Sequence, residues 1–126
     1  MYTDSRSLFI NLTNHPYEDW CARQREAARE YGEVVDMPFP AIDEWGDEAY
    51  IEALADEYLH RVLTYAEVYS VTVHLMGELT FSFALLERLR QQGIPVIAST
   101  SKRLVSDESG GHKVVTFQFA RFRRYC

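Results

Sequence analysis

Three short stretches hold the residue types that could do chemistry: Thr13-Asn14-His15-Pro16, Gly77-Glu78-Leu79-Thr80 with Ser82 just beyond, and Ser99-Thr100-Ser101-Lys102-Arg103. A histidine in a turn can give or take a proton near neutral pH. A glycine ahead of a helix start lets another group approach free backbone N–H groups, and these suit an anion. Hydroxyls and a Lys-Arg pair would add donors and positive charge, so the set points to a phosphate-bearing ligand. His15 is then the candidate acid or base, and Lys102 or Arg103 the candidate stabiliser of charge developing at phosphorus.

Each assignment has a plainer rival. A first-turn Glu78 could stabilise its own helix by roughly 0.3–1 kcal/mol, with Thr80 as the cap. If turned inward it would repel phosphate, although a carboxylate can also orient a ribose hydroxyl. Trp20 either packs or stacks a base at a pocket rim. Arg121 reaches either the site or a subunit interface. His74 lies inside a strand and reads as a packed, hydrogen-bonded core residue. His60 and His112 carry no signal.

Alternating elements must position these residues. "LFINLTN" (8–14) reads as a buried strand ended by Asn-His-Pro. A helix follows, with Trp20, Gln24, Ala27, Ala28 and Tyr31 on one face and Gly32 as its stop. A short strand (33–39) leads to the clearest helix, in which Ile51, Leu54, Ala55, Tyr58, Leu59, Val62 and Leu63 form one stripe. A strand at 70–76, a helix at 79–92 and a strand at 94–100 come next. "SDESGGHK" (106–113) has turn chemistry, and a last strand runs over 114–125, with Phe117, Phe119 and Arg121 on one side and Thr116, Gln118 and Phe122 on the other.

The order β-α-β-α-β-α-β-β predicts an α/β fold: a small Rossmann-like, flavodoxin-like three-layer sandwich. Its sheet of about five strands is mostly parallel, with the C-terminal strand antiparallel at an edge. In such sheets ligands bind beyond the carboxyl ends of the strands, where strand order reverses. With order 2-1-3-4, that rule sets His15 opposite the Gly77–Thr80 corner, with a phosphate between the histidine and the helix N-terminus.

The 126 residues fit one domain, 1–126, and a net charge of −6 argues against general binding to duplex nucleic acid. Charge is segregated: residues 30–67 hold eleven acids against one Arg, and 88–126 hold eight Lys or Arg against two acids. An acidic protein with a basic last third suits a small anion. No apolar run reaches the ~20 residues of a membrane span and the start lacks a secretion signal, so a cytoplasmic protein without membrane contact is expected. Neither metal nor cofactor is expected, since no His/Cys/Asp set has ligand spacing. The sequence also lacks a P-loop or G-x-G-x-x-G motif.

"INLTNHP", "HLMGELTFSFALLERLRQQGI" and "VIASTSKR", together about a third of the chain, are similar to segments of small stand-alone CRISPR-associated proteins with a CARF-like Rossmann domain. The nearest match is to the ring nucleases of type III systems. The resemblance implies a homodimer binding a cyclic oligoadenylate, tetra- or hexa-adenylate, across its twofold axis. It also implies metal-independent cleavage of that messenger through the ribose 2′-hydroxyl. Carried onto this chain, the binding loops are Asn14-His15, Gly77 to Thr80 and Ser99 to Arg103. A module that senses or sequesters the messenger without cleaving it would need the same loops but not His15. A flavodoxin-like interaction protein that docks a basic partner on its acidic helix is a third possibility.

Overall fold

A computed structural model describes residues 6–126. Five strands form one sheet in the order β2-β1-β3-β4-β5: β1 (Arg6–Leu12), β2 (Glu33–Asp36), β3 (Tyr69–Leu75), β4 (Val96–Glu108) and β5 (His112–Arg124). The first four pair in parallel and β5 runs antiparallel to β4. Three helices, α1 (Ala22–Arg29), α2 (Glu48–Ala66) and α3 (Leu79–Gln91), connect the parallel strands. This is the mostly parallel α/β sandwich with an antiparallel edge that the alternation predicts.

The central strands are apolar on both faces, as a sheet covered on both sides requires. Leu8, Ile10 and Leu12 of β1, with Val71, Val73 and Leu75 of β3, pack on Ala55, Tyr58 and Val62 of α2 and Phe81, Leu85 and Leu89 of α3. The opposite face carries Phe9, Ile97, Phe119 and Phe122 against Trp20 and Ala28. Alternation along β1 and β3 therefore sends Asn11, Thr72 and His74 to this second, thinner layer. No helix among the described residues is long and apolar enough to cross a membrane.

Three elements differ from expectation. The helix foreseen from residue 16 onward is a single 3₁₀ turn, Tyr17–Asp19, an extended step at Trp20 and Cys21, and then α1. The break turns Trp20 into the core, edge-on to Phe9, and lets its Nε1 donate to the His15 carbonyl at 3.1 Å. The strand foreseen over 94–100 continues to Glu108, and Ser99–Arg103 is therefore strand and not a loop. Gly110 and Gly111, both at positive φ, close a hairpin that pairs Glu108 with His112, so the chain on either side zips together. Finally, Ala120 is an extra residue in β5, because Thr100 pairs Arg121 while Ser101 pairs Phe119. This bulge reverses the alternation and puts Phe119 and Phe122 in one cluster, where strict alternation placed them on opposite sides.

Beyond the bulge the β4–β5 hairpin leaves the body as a two-stranded arm. From Ser101 to Gln118 every residue is exposed. Leu104, Val105, Val114, Val115 and Phe117 are among the large apolar side chains left open there.

Candidate functional site

The centre of the site is a pair of residues side by side at the carboxyl ends of the two middle strands, Asn11 on β1 and His74 on β3. Both are buried, and Asn11 is fully committed. Its Nδ2 donates to the His15 carbonyl (2.9 Å) and to Asp36 Oδ1 (2.8 Å), and its Oδ1 accepts from the Thr13 hydroxyl at 2.9 Å. The reverse amide orientation would set an oxygen against a carbonyl and a carboxylate, so the network fixes Asn11. His74 Nδ1 lies 3.1 Å from that Oδ1. Only a protonated Nδ1 can bond it, which assigns the tautomer and leaves Nε2 a bare lone pair. Burial lowers the His74 pKa to about 4, so the ring is neutral at physiological pH.

Beside His74 opens a cleft of about 660 Å³, at the point where strand order reverses between β1 and β3. Thr13, Asn14 and His15 form one lip, and Met76 and Gly77 the facing one. Ser99, Ser101, Phe117 and Phe119 come from the base of the arm, and Asp19, Trp20, Cys21 and Gln24 from the α1 side. His74 contributes the floor. The His15 backbone is held on both sides: its N–H donates to Thr13 Oγ1 at 3.2 Å, and its carbonyl takes the Asn11 and Trp20 donors. Its imidazole is exposed at the cleft mouth.

Of the residues expected at the site, Thr13, Asn14, His15, Trp20, Gly77, Ser99 and Ser101 are brought together in this cleft. Glu78, Leu79, Thr80, Ser82, Thr100, Lys102, Arg103 and Arg121 are not among its lining residues. The N-terminus of α3 is not open to phosphate, because Glu78 fills it. Its Oε1 accepts from the Phe81 N–H at 2.7 Å and from the Thr80 hydroxyl at 2.8 Å. These bonds hold the carboxyl below the usual carboxylate range. The cap is thus Glu78, with Thr80 as its helper, and not Thr80 itself. Gly77 is small for packing reasons: a Cβ there would come within 2.2 Å of the Phe39 ring. Leu79 is exposed, and Ser82 Oγ is buried in α3 without a partner among the described residues. Thr100 donates to the Arg121 carbonyl at 3.0 Å, and Arg121 Nε to the Phe122 carbonyl at 3.0 Å.

Lys102 and Arg103 separate according to the ribbon's own register. Ser101 pairs Phe119 and Arg103 pairs Phe117. Directly opposed residues, and alternate residues along a strand, share a face. Arg103 therefore stands on the ribbon face that lines the cleft, one step farther out, while Lys102 faces the other way with Gln118. No Lys or Arg is among the lining residues themselves. Among the described residues no group of three or more His, Cys, Asp or Glu could hold a metal ion.

Sequence reasoning missed His74, Asn11 and the aromatic pair Phe117 and Phe119. A signal existed for the first two: each is a polar side chain one residue before the end of a strand, between apolar neighbours Ile10 and Leu12 or Val73 and Leu75. The aromatic pair depends on the hairpin and its bulge, which no local pattern announced.

The fold and cleft together define an open α/β protein with a cleft at the topological switch point, the place where sheets of this kind bind ligands. The chain belongs to the family described as Uncharacterized protein MJ1673 family, whose model matches residues 7–123. Among curated proteins, none matches it.

Proposed function

We propose that this protein is a ring nuclease of the CRISPR-associated kind, binding a cyclic oligoadenylate in the switch-point cleft and opening it without a metal ion. The observation that carries the reading is His15, exposed at the mouth of a cleft walled by Trp20, Phe117 and Phe119. Aromatic walls suit stacked bases, each worth about 1–3 kcal/mol. In the reaction the ribose 2′-oxygen forms a bond to phosphorus while the bond to the 5′-oxygen breaks. One proton leaves the 2′-hydroxyl and one reaches the departing 5′-oxygen, with His15 serving one of these transfers. Positioning of the attacking hydroxyl supplies the remainder. Arg103, on the cleft face of the arm, is the cation nearest in register to a phosphate there, and Lys102 has no part.

A homodimer fits the same reading. The arm exposes Val105, Val115 and Phe117 on the face that also borders the cleft. A second copy covering that face would bury it and add residues to the site.

One observation favours binding without cleavage: the cleft lining holds no cation to stabilise a phosphorane-like state. Incubation with cyclic tetra- and hexa-adenylate, with and without EDTA, decides between the two. Linear products formed in EDTA, and slowed far more than binding is weakened by His15→Ala, are expected. Tight binding with intact ligand would leave a sensor or sequestering module.

A further inference from the structure

His74 is placed in a way that core packing does not account for. It is 2% exposed, yet it lines the cleft, and among the described residues its Nε2 has no hydrogen-bond partner. The Nδ1 side is occupied by Asn11, whose two amide hydrogens are spent on His15 and Asp36 and cannot reach Nε2. The nearest other donor-bearing ring, Trp20, spends its Nε1 hydrogen on the His15 carbonyl. Phe9, Trp20 and Phe122 surround the imidazole with ring centroids 5.2–5.6 Å away. A buried lone pair without a donor is costly to the free protein, and a ligand that brings a donor removes the cost.

We propose that His74 is the recognition residue of the cleft, its Nε2 accepting a hydrogen bond from an N–H or O–H of the bound nucleoside. The proposal rests on reading the cleft as a nucleotide site and adds what that site selects. Asn11, itself held by Asp36 and the His15 carbonyl, fixes the tautomer, so the floor presents an acceptor and never a donor. A group offering only lone pairs, such as a carbonyl or a phosphate oxygen, is refused there. An adenosine unit has two groups of the right kind, its exocyclic amine and its ribose hydroxyls. Phosphate belongs at the mouth, toward the Arg103 face of the arm, and the neutral part of the nucleotide at the floor.

The test uses protein carrying ¹⁵N-labelled histidine, with the His74 ring nitrogens followed by NMR. Adenosine, purine riboside (no amine), 2′-deoxyadenosine and cyclic tetra-adenylate are the probes. Adenosine is expected to move the Nε2 signal as a hydrogen-bond donor does, with Nδ1 still protonated. The analogue that fails to do so names the donating group. His74→Asn keeps an N–H toward Asn11 and has no atom in the place of Nε2, and it should bind adenosine about 5- to 100-fold more weakly. An Nε2 signal that none of the four probes moves would overturn the proposal, as would His74→Asn binding adenosine like the parent. If His74→Asn does not fold, the titration of the parent protein decides alone. A responding His74 in a protein that leaves cyclic tetra-adenylate intact would sink cleavage and keep this inference. Cleavage with a silent His74 would do the reverse.

Discussion

The buried imidazole of His74 makes this protein's stability sensitive to mild acid, by an amount that can be worked out. Its pKa falls from 6.5 to about 4 on folding because burial penalises the charged ring. Below pH 6.5 the unfolded chain takes up a proton that the native protein refuses until pH 4. Linkage then lowers the unfolding free energy as pH drops, since the unfolded state binds more protons throughout that window. Integrated from pH 7, the loss is about 2 kcal/mol at pH 5 and about 3 kcal/mol at pH 4. Glu78, whose pKa is lowered by the Phe81 N–H and the Thr80 hydroxyl, acts in the same direction but only below the carboxylate range. The two contributions therefore separate at pH 5. Urea unfolding of the parent and His74→Asn at pH 7 and pH 5 isolates the imidazole, because all other groups cancel in the difference. The parent should lose about 2 kcal/mol more than the variant over that interval. Equal losses would mean that the ring is hydrated in solution, and with that the bare Nε2 at the cleft floor would go too.

Other outcomes follow from the same geometry. Glu78→Ala should destabilise the protein by about 0.5–2 kcal/mol through loss of the α3 cap while leaving nucleotide affinity unchanged, as thermal unfolding and calorimetry would measure. Arg103→Ala should weaken binding of cyclic tetra-adenylate several-fold and reduce its salt dependence, whereas Lys102→Ala should do neither; equal effects would mean the two faces of the ribbon are not distinguished as the register requires. Val115→Asp with Phe117→Asp should convert a dimer to monomers in sedimentation experiments and remove the dependence of the melting temperature on protein concentration, since both side chains are exposed on the arm of the single chain.

What the sequence determined by itself is everything that repeats locally. The stripe from Ile51 to Leu63 made α2 legible, since burial of one helix face needs a 3.6-residue period. The Leu-Phe-Ile and Val-Thr-Val runs made the middle strands legible, and alternation of helices with strands fixed a parallel sheet. The switch-point rule then points to Thr13–His15 and Gly77 from the sequence alone. Tertiary structure decided the rest, because it depends on partners far apart in the chain. Lys102 and Arg103 look like loop residues until β5 returns to pair with them, and only as strand residues, with Arg103 in step with Ser99 and Ser101 of the cleft lining, do they fall on opposite faces. Glu78 could have faced a ligand, and it is the hydrogen bond to the Phe81 N–H that turns it to its own helix. His74 had the look of core in the sequence. Only the meeting of β1 and β3, which sets Asn11 against its Nδ1, leaves the other nitrogen without a partner among the described residues, on a side chain that lines the cleft. Local periodicity is written into composition and spacing; the protonation and orientation of a buried side chain belong to its neighbours.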